Sequence, residues 1–416
     1  PGRSVRPRAP PRRSWRYGNS SSTAGRPVSE TGEPVVDKPG SQHLTHALWA
    51  AFWMYGGRAC GMVWTLALVG QLGIADYGKY AMAYAVYSLI GSPIDNLFVV
   101  RSVRESEEHF LSDRATRYLL GVGFMAVGLA LLEVNYVAAF GLFVSGGELT
   151  LKAWESRSLR DGHPHKAAQI DTGRQFASVV PACIYLFAVP HPTLQVATSI
   201  LVAPYVLTAL WVGPIALRHR PGIPGSPRLI AILVGETFAI MAGVQGDLLL
   251  LGWLTNSTTA GYYGICTTVT LAIVAVGQTF GMSYNQALRD GDGHVSAGPP
   301  LKGTVLLGVA AGVLVLITGL VMMVVPAVPE ELAVAMTIMS LFCAMRTIST
   351  VFQAVLYNQH RDGVRLIANF SIVPIRLGLV ALLVGAGAVG AAIAAVITDA
   401  LLLAIYVRVL YRKPVA

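Results

Sequence analysis

RDGVRLIANFSIVPIRLGLVALLVGAGAVGAAIAAVITDALLLAIYVRVLYRK, residues 361–413, holds two apolar runs, 364–385 and 388–410, with almost nothing between them. Basic residues stand outside the pair: Arg361 and Arg365 before it, Arg408, Arg412 and Lys413 after it. The short gap inside the pair carries no charge. A helix needs about 20 apolar residues to cross ~30 Å of hydrocarbon, and Lys and Arg gather in the cytoplasmic loops of an inner-membrane chain. The stretch therefore reads as a helical hairpin that enters and leaves by the same membrane face.

Moving towards the N-terminus, the same pattern repeats. Ten further runs fall at 47–70, 78–100, 117–133, 136–158, 165–189, 193–217, 229–254, 260–288, 303–325 and 332–357, about twelve in all. Every second gap is basic. These gaps hold Arg101, Arg104, Arg114 and Arg117; Arg157, Arg160 and Lys166; Arg218, Arg220 and Arg228; and Arg289 and Lys302. The opposite gaps hold Lys79 and the acidic pair Glu330 and Glu331. The expected fold is an all-α polytopic membrane protein with both termini cytoplasmic, in the bacterial cytoplasmic (inner) membrane.

Composition agrees. Only 13% of the 416 residues are charged and 54% are hydrophobic, where a soluble domain carries about 25% charged residues. The net charge of +9 lies largely in the basic gaps and the N-terminal arm, so topology accounts for it and nucleic acid is not expected as a partner. Cys60, Cys183, Cys266 and Cys343 each fall inside an apolar run without a CxxC or Cys/His cluster. They read as small buried hydrophobes, with no metal site and no disulfide framework. Residues 1–46 are rich in Pro, Ser, Gly and Arg and read as a disordered basic cytoplasmic tail.

The chain also reads as a duplication. DYGKYAMAY after the first run matches AGYYGICTT after the seventh, with Gly78 and Tyr80 against Gly261 and Tyr263, 183 residues apart (261 − 78, 263 − 80). Arg160–Asp161–Gly162 and Arg361–Asp362–Gly363 close the fourth and tenth runs at an offset of 201 (361 − 160). Six plus six helices in one orientation imply a pseudo-two-fold axis along the membrane normal. The expected units are a lobe at 47–217, a cytoplasmic linker at 218–228, a second lobe at 229–410 and a tail at 411–416.

No gap is large enough for a soluble catalytic domain, and phosphate-loop, HExxH and GxSxG motifs are absent. The expected class is not an enzyme, and no cofactor is expected. Function should lie with ionisable residues inside the runs: Arg58, Glu148, Lys152, Arg174, Glu236, Asp247, Arg346, Arg376 and Asp399. Each costs roughly 2.5–3.5 kcal/mol at a helix centre and normally faces a bundle interior or a watery cavity. Arg174 and Arg376 are 202 apart (376 − 174), close to the local repeat. Glu148 and Lys152, at i and i+4, are spaced to pair within one helix. Glu236, Asp247 and Asp399 read either as a proton or cation site or as counter-ions to the arginines. Pro93, Pro181, Pro204, Pro214 and Pro374 lie within or at the ends of runs, where they can kink helices.

In LGIADYGKYAMAY, GDLLLLGWLTNSTTAGYY, VLYNQHRDG and AVGAAIAAVITDALL, the chain resembles polysaccharide (O-antigen-type) flippases of the multidrug/oligosaccharidyl-lipid/polysaccharide (MOP) exporter superfamily, over about residues 45–410. The resemblance implies two six-helix lobes around a central cavity that alternates between the membrane faces. It also implies a cationic cavity for the diphosphate of an undecaprenyl-linked glycan. Arg58, Arg174, Arg346 and Arg376 are the residues assigned to that role, by depth and charge. Polysaccharide polymerase and glycosyltransferase partners, contact with membrane lipids and a monomeric state follow from the same resemblance. The competing expectation is a cation-coupled multidrug exporter of the superfamily, with Glu236, Asp247 and Asp399 taking H⁺ or Na⁺. A membrane-embedded glycosyltransferase is disfavoured by the small extracytoplasmic gaps. A major-facilitator transporter is disfavoured because RSVRESEEHFLSDRATR, residues 101–117, lacks the Gly-Asp-Arg-Gly-Arg pattern.

Overall fold

Twelve long α-helices form among the described residues, and their boundaries follow local chemistry. The computed structural model describes residues 39–161, 163–284, 287–288, 294–359 and 361–411. The first half holds α1 (Pro39–Leu72), α2 (Ile74–Arg104), α3 (Glu107–Ala130), α4 (Tyr136–Arg160), α5 (Pro164–Ala188) and α6 (Leu194–Ala216). The second holds α7 (Pro227–Leu254), α8 (Ser257–Ser283), α9 (Leu301–Val324), α10 (Glu330–Asn358), α11 (Asp362–Leu382) and α12 (Gly387–Tyr411). Side chains at the junctions start several of them. Asn135 Oδ1 accepts from Ala138 N at 3.0 Å and Asn256 Oδ1 from Thr259 N at 2.9 Å. Each satisfies one of the orphan amides of a helix start.

Two boundaries differ from expectation. Helix α1 begins at Pro39, so residues 39–46 of the expected tail are helical; the rest of that tail, 1–38, lies outside the described residues. The expected gap at 101–117 shrinks to Glu105–Ser106, because Ser106 caps α3 and Glu107 and Glu108 occupy its first turn, where negative charge suits the helix dipole. Arg101 and Arg117 consequently sit on helices. Both are buried, paired with Asp113 and Asp95 respectively. The five prolines named above all stay inside helices.

The repeat is visible in the packing. Helix α2 lies on α4 as α8 lies on α10; α3 pairs with α4 as α9 pairs with α10; α5 adjoins α6 as α11 adjoins α12. The halves meet along α2 and α8, where equivalent residues face each other. A Cβ on Gly78 would lie 1.7 Å from the Ser257 carbonyl oxygen, and one on Gly261 would lie 2.4 Å from the Ile74 carbonyl oxygen. A Cβ on Gly264 would touch that of Ala81 at 3.1 Å. Residues 74 and 257, 78 and 261, and 81 and 264 are all 183 apart, so the contact is reciprocal, as a two-fold axis requires. Glycine is demanded at this seam by backbone approach alone. Ala47–Ala416 forms one unit, so the halves are repeats within a single bundle.

Among the described residues, eight helices are long and apolar enough to cross a membrane: α2, α6 and all six of the second half. The core between them is packed with small residues on α12, where Ala388, Ala391, Ala392, Ala394 and Ala395 are fully buried, permitting close helix approach. Cys60, Cys266 and Cys343 are buried and Cys183 partly so; all four are free thiols, as expected of apolar filler. Large apolar side chains such as Leu207, Leu210, Trp211 and Trp253 face outwards, which suits lipid and not water.

Candidate functional site

A cavity of about 380 Å³ opens within the first half, bounded by α1, α2, α4, α5 and α6, with α7 and α8 contributing from the second. Three ionisable side chains line it: Arg58 from α1, Glu148 from α4 and Arg174 from α5. Two guanidiniums face one carboxylate. Six aromatic side chains share the wall: Trp64, Tyr77, Tyr80, Tyr84, Phe140 and Tyr205.

Glycine sets the geometry at Glu148. A Cβ on Gly147 would lie 2.5 Å from the Tyr205 ring, so only glycine lets α6 come this close. Tyr205 then donates its hydroxyl to Glu148 Oε1 at 2.5 Å. Arg174 lies 3.5 Å from the same oxygen, 3.0 Å from Asp171 Oδ1, and 4.7 Å above the Tyr205 ring. Gln175 donates to the other Asp171 oxygen at 3.1 Å. Arg174 Nε is buried with no partner. Arg58 is exposed to the cavity, rests 5.8 Å from the Tyr55 ring centroid and makes no ion pair among the described residues. These guanidiniums keep donors available for an anion.

The other two arginines expected round one cleft lie elsewhere, outside the cavity lining. Arg376 donates to Asp247 from Nε at 2.8 Å and from a terminal nitrogen at 2.5 Å, and to Asp399 at 3.1 Å. Arg346 donates to Asp399 at 3.1 Å, and Tyr263 to Asp247 at 2.5 Å. Two arginines thus meet two aspartates drawn from α7, α10, α11 and α12, with Asp247 0% and Arg376 2% exposed. The cluster is neutral and closed. Glu236, the third acid considered for an ion, is bound to Arg365 at 2.8 Å. Of the two readings of these acids, the geometry is that of counter-ions.

Glu148 and Lys152 do not pair with each other as their spacing suggested. Lys152 turns to Asp95 at 3.9 Å, joining the Asp95–Arg117 pair between α2, α3 and α4. Neighbouring Glu155 is 8% exposed, makes no ion pair among the described residues and has an unpartnered Oε2. Asp113, Glu148, Asp247 and Asp399, the other buried carboxylates among the described residues, are all paired. Sequence reading missed Asp95, Glu155 and Tyr205. Asp95 and Glu155 were legible as charges inside the second and fourth runs; Tyr205 carried no signal apart from the fold.

The arrangement is an all-helical bundle of apolar, membrane-length helices whose fold is shared with solved transporters of the MOP superfamily. Solved structures that share it include the lipid II flippase MurJ in an inward closed conformation, with a TM-score of 0.68, 11% identity and 88% of each chain covered. Another is an inward-facing multidrug resistance MATE family transporter of the MOP superfamily, at a TM-score of 0.57 and 11% identity over 89% of this chain and 96% of that one. A third is the MATE multidrug transporter DinF-BH in complex with R6G, at 0.56 and 14% identity over 94% and 98%. No family model and no curated protein matches the sequence. At these identities the likeness is one of fold.

Proposed function

We propose that this protein is a flippase that moves a polyprenyl-diphosphate-linked oligosaccharide across the bacterial cytoplasmic membrane for cell-surface polysaccharide synthesis. On this reading both termini are cytoplasmic and the chain makes or breaks no bond. The observation that carries it is the cavity's charge: Arg58 makes no ion pair among the described residues, and Arg174, shared between Glu148 and Asp171, keeps an unpartnered Nε. A diphosphate cannot enter hydrocarbon unpaired, and guanidinium forks match its oxygens. The head group would occupy the cavity while the polyprenyl tail stays in lipid. Alternating access would then turn the cavity from one face to the other, with α2 and α8 parting at the Gly78–Gly261 seam. A lipid-linked cargo is also what the name of the MurJ neighbour describes for that protein. Polymerase and glycosyltransferase partners accompany the proposal.

The second reading, a cation-coupled multidrug exporter, is supported by the aromatic cavity wall and the MATE neighbours, one of them bound to R6G. Against it, Glu236, Asp247 and Asp399 are already neutralised by arginines. The test is mass spectrometry of lipids from source cells with and without the protein. The flippase reading expects accumulation of a polyprenyl-diphosphate glycan on depletion, reproduced by Arg58→Ala and Arg174→Ala. An unchanged lipid pool with new sensitivity to organic cations would favour the exporter.

A further inference from the structure

Helix α2 sets Tyr77, Tyr80 and Tyr84 at i, i+3 and i+7, on one face. The rings form a continuous wall: Tyr77 and Tyr80 have centroids 6.4 Å apart and Tyr80 and Tyr84 6.3 Å. Trp64 from α1 meets Tyr80 edge-on at 5.8 Å, and Phe140 from α4 approaches it at 5.9 Å. Tyr84 lines the cavity and is 44% exposed. Tyr87 packs edge-on against Tyr84 at 5.0 Å, and the part of the Tyr84 ring these neighbours leave open is apolar surface bordering the cavity.

Neutral polar groups edge the same space. Gln175 and Ser178 come from α5, Gln245 from α7 across the cavity, and Thr268 from α8. Ser178 is 1% exposed and its hydroxyl has no hydrogen-bond partner, although buried hydroxyls normally find one. Open aromatic faces beside neutral donors and acceptors suit one ligand chemistry. A pyranose ring has an apolar face of C–H groups and an edge of hydroxyls, so it stacks on the first and bonds to the second. A bare diphosphate would use only the guanidiniums. An organic cation stacks on aromatic faces too, but here it meets the guanidiniums of Arg58 and Arg174, while Glu148 already accepts from Tyr205 and lies at ion-pair distance from Arg174.

We propose that the Tyr80–Tyr84 face of α2, with Ser178 and Gln245, is a sugar subsite that holds the pyranose rings nearest the diphosphate. It makes the transporter select glycan-bearing over bare polyprenyl diphosphate. This rests on the flippase reading. Tyr84 is the specificity-determining residue, since its ring is the most open of the wall.

The test uses the full chain in lipid nanodiscs, offered equal amounts of undecaprenyl diphosphate and undecaprenyl-diphosphate-linked N-acetylhexosamine disaccharide. Retained lipid is read by native mass spectrometry. The native protein should favour the glycan lipid by roughly tenfold, the scale of one aromatic stacking contact. Tyr84→Ala should abolish that preference, lowering retention of the glycan lipid far more than that of the bare lipid. Tyr84→Phe, which keeps the ring, should preserve the preference and shows that the loss is not misfolding. Arg174→Ala should weaken both lipids together. A preference unaltered in Tyr84→Ala, or absent from the native protein while both lipids bind, would overturn the sugar subsite and leave the flippase reading standing. If neither lipid binds the native protein, both fall.

Discussion

Arg174 on α5 and Arg376 on α11 lie 202 residues apart, one residue off the local repeat of 201, and their surroundings differ in kind. Arg376 is enclosed by Asp247 and Asp399, and Arg346 completes a neutral set of four charges. Arg174 shares Asp171 and Glu148, keeps one nitrogen unpartnered and borders a cavity that also contains Arg58. The difference extends to whole helices. All six helices of the second half are apolar enough to cross a membrane by themselves, whereas only α2 and α6 of the first half are. Polar groups in the first half are spread over α4 and α5 around a cavity. Those of the second are gathered into pairs that cancel. On the proposed function, one half serves as a bracket and the other as the binding surface, on the same helical plan.

The comparison breaks most readily at the closed cluster. Arg376→Ala leaves two buried aspartates short of a partner, and losing one member of a buried pair costs about 3–5 kcal/mol. Thermal unfolding of the purified protein in detergent should show it, and an unchanged midpoint would mean the cluster is not structural. Next in size is Gly261→Val at the seam, where the added atoms collide with the Ile74 carbonyl. Overpacking of this kind costs about 1–3 kcal/mol. Because the collision separates the halves, disulfide trapping between cysteines placed at 74 and 257 should fall as well.

Smaller effects are expected round the cavity. Arg58→Ala removes no ion pair, so the unfolding midpoint should stay within error while transport in reconstituted vesicles falls at least several-fold. Equal transport with Arg58 removed would make that arginine a bystander. Smallest of all is Glu155→Gln. With no cation to lose, it should leave stability unchanged or raised, in contrast to Asp399→Asn, which takes a charge from two arginines. A marked loss in Glu155→Gln by the same unfolding measurement would reveal a partner for that carboxylate.

Much of the fold was legible because crossing a bilayer restricts the chain severely. Apolar runs of span length, with basic residues in alternate gaps, yield the helix count, and the short repeats at offsets of 183 and 201 yield the duplication. The third run is a helix as expected but starts ten residues earlier, at Glu107 and not 117, because acids suit a helix's first turn as well as a loop. The candidate site was legible only in part. Depth and charge select Arg58, Arg174, Arg346 and Arg376 together, but depth says nothing about the direction a side chain faces. Arg58 and Arg174 line the cavity; Arg346 and Arg376 do not. The intrahelical spacing of Glu148 and Lys152 also misled, since nearer partners arrive from α2, α5 and α6.

The sequence by itself determined that the chain is a helical membrane bundle, duplicated, with its charges at particular depths. Hydrophobic length, charge in the gaps and residue spacing are local properties, and a bilayer turns them directly into structure. Only the tertiary structure decided which charges cancel and which remain available. Pairing depends on distances of 3–4 Å between residues as far apart in the chain as Asp247 and Arg376, set by how four helices are rotated against one another. Glycines fix that rotation: Gly147 admits Tyr205 to Glu148, and Gly78 and Gly261 bring the halves into backbone contact. Their effect depends on the helix opposite, which no local stretch of sequence contains.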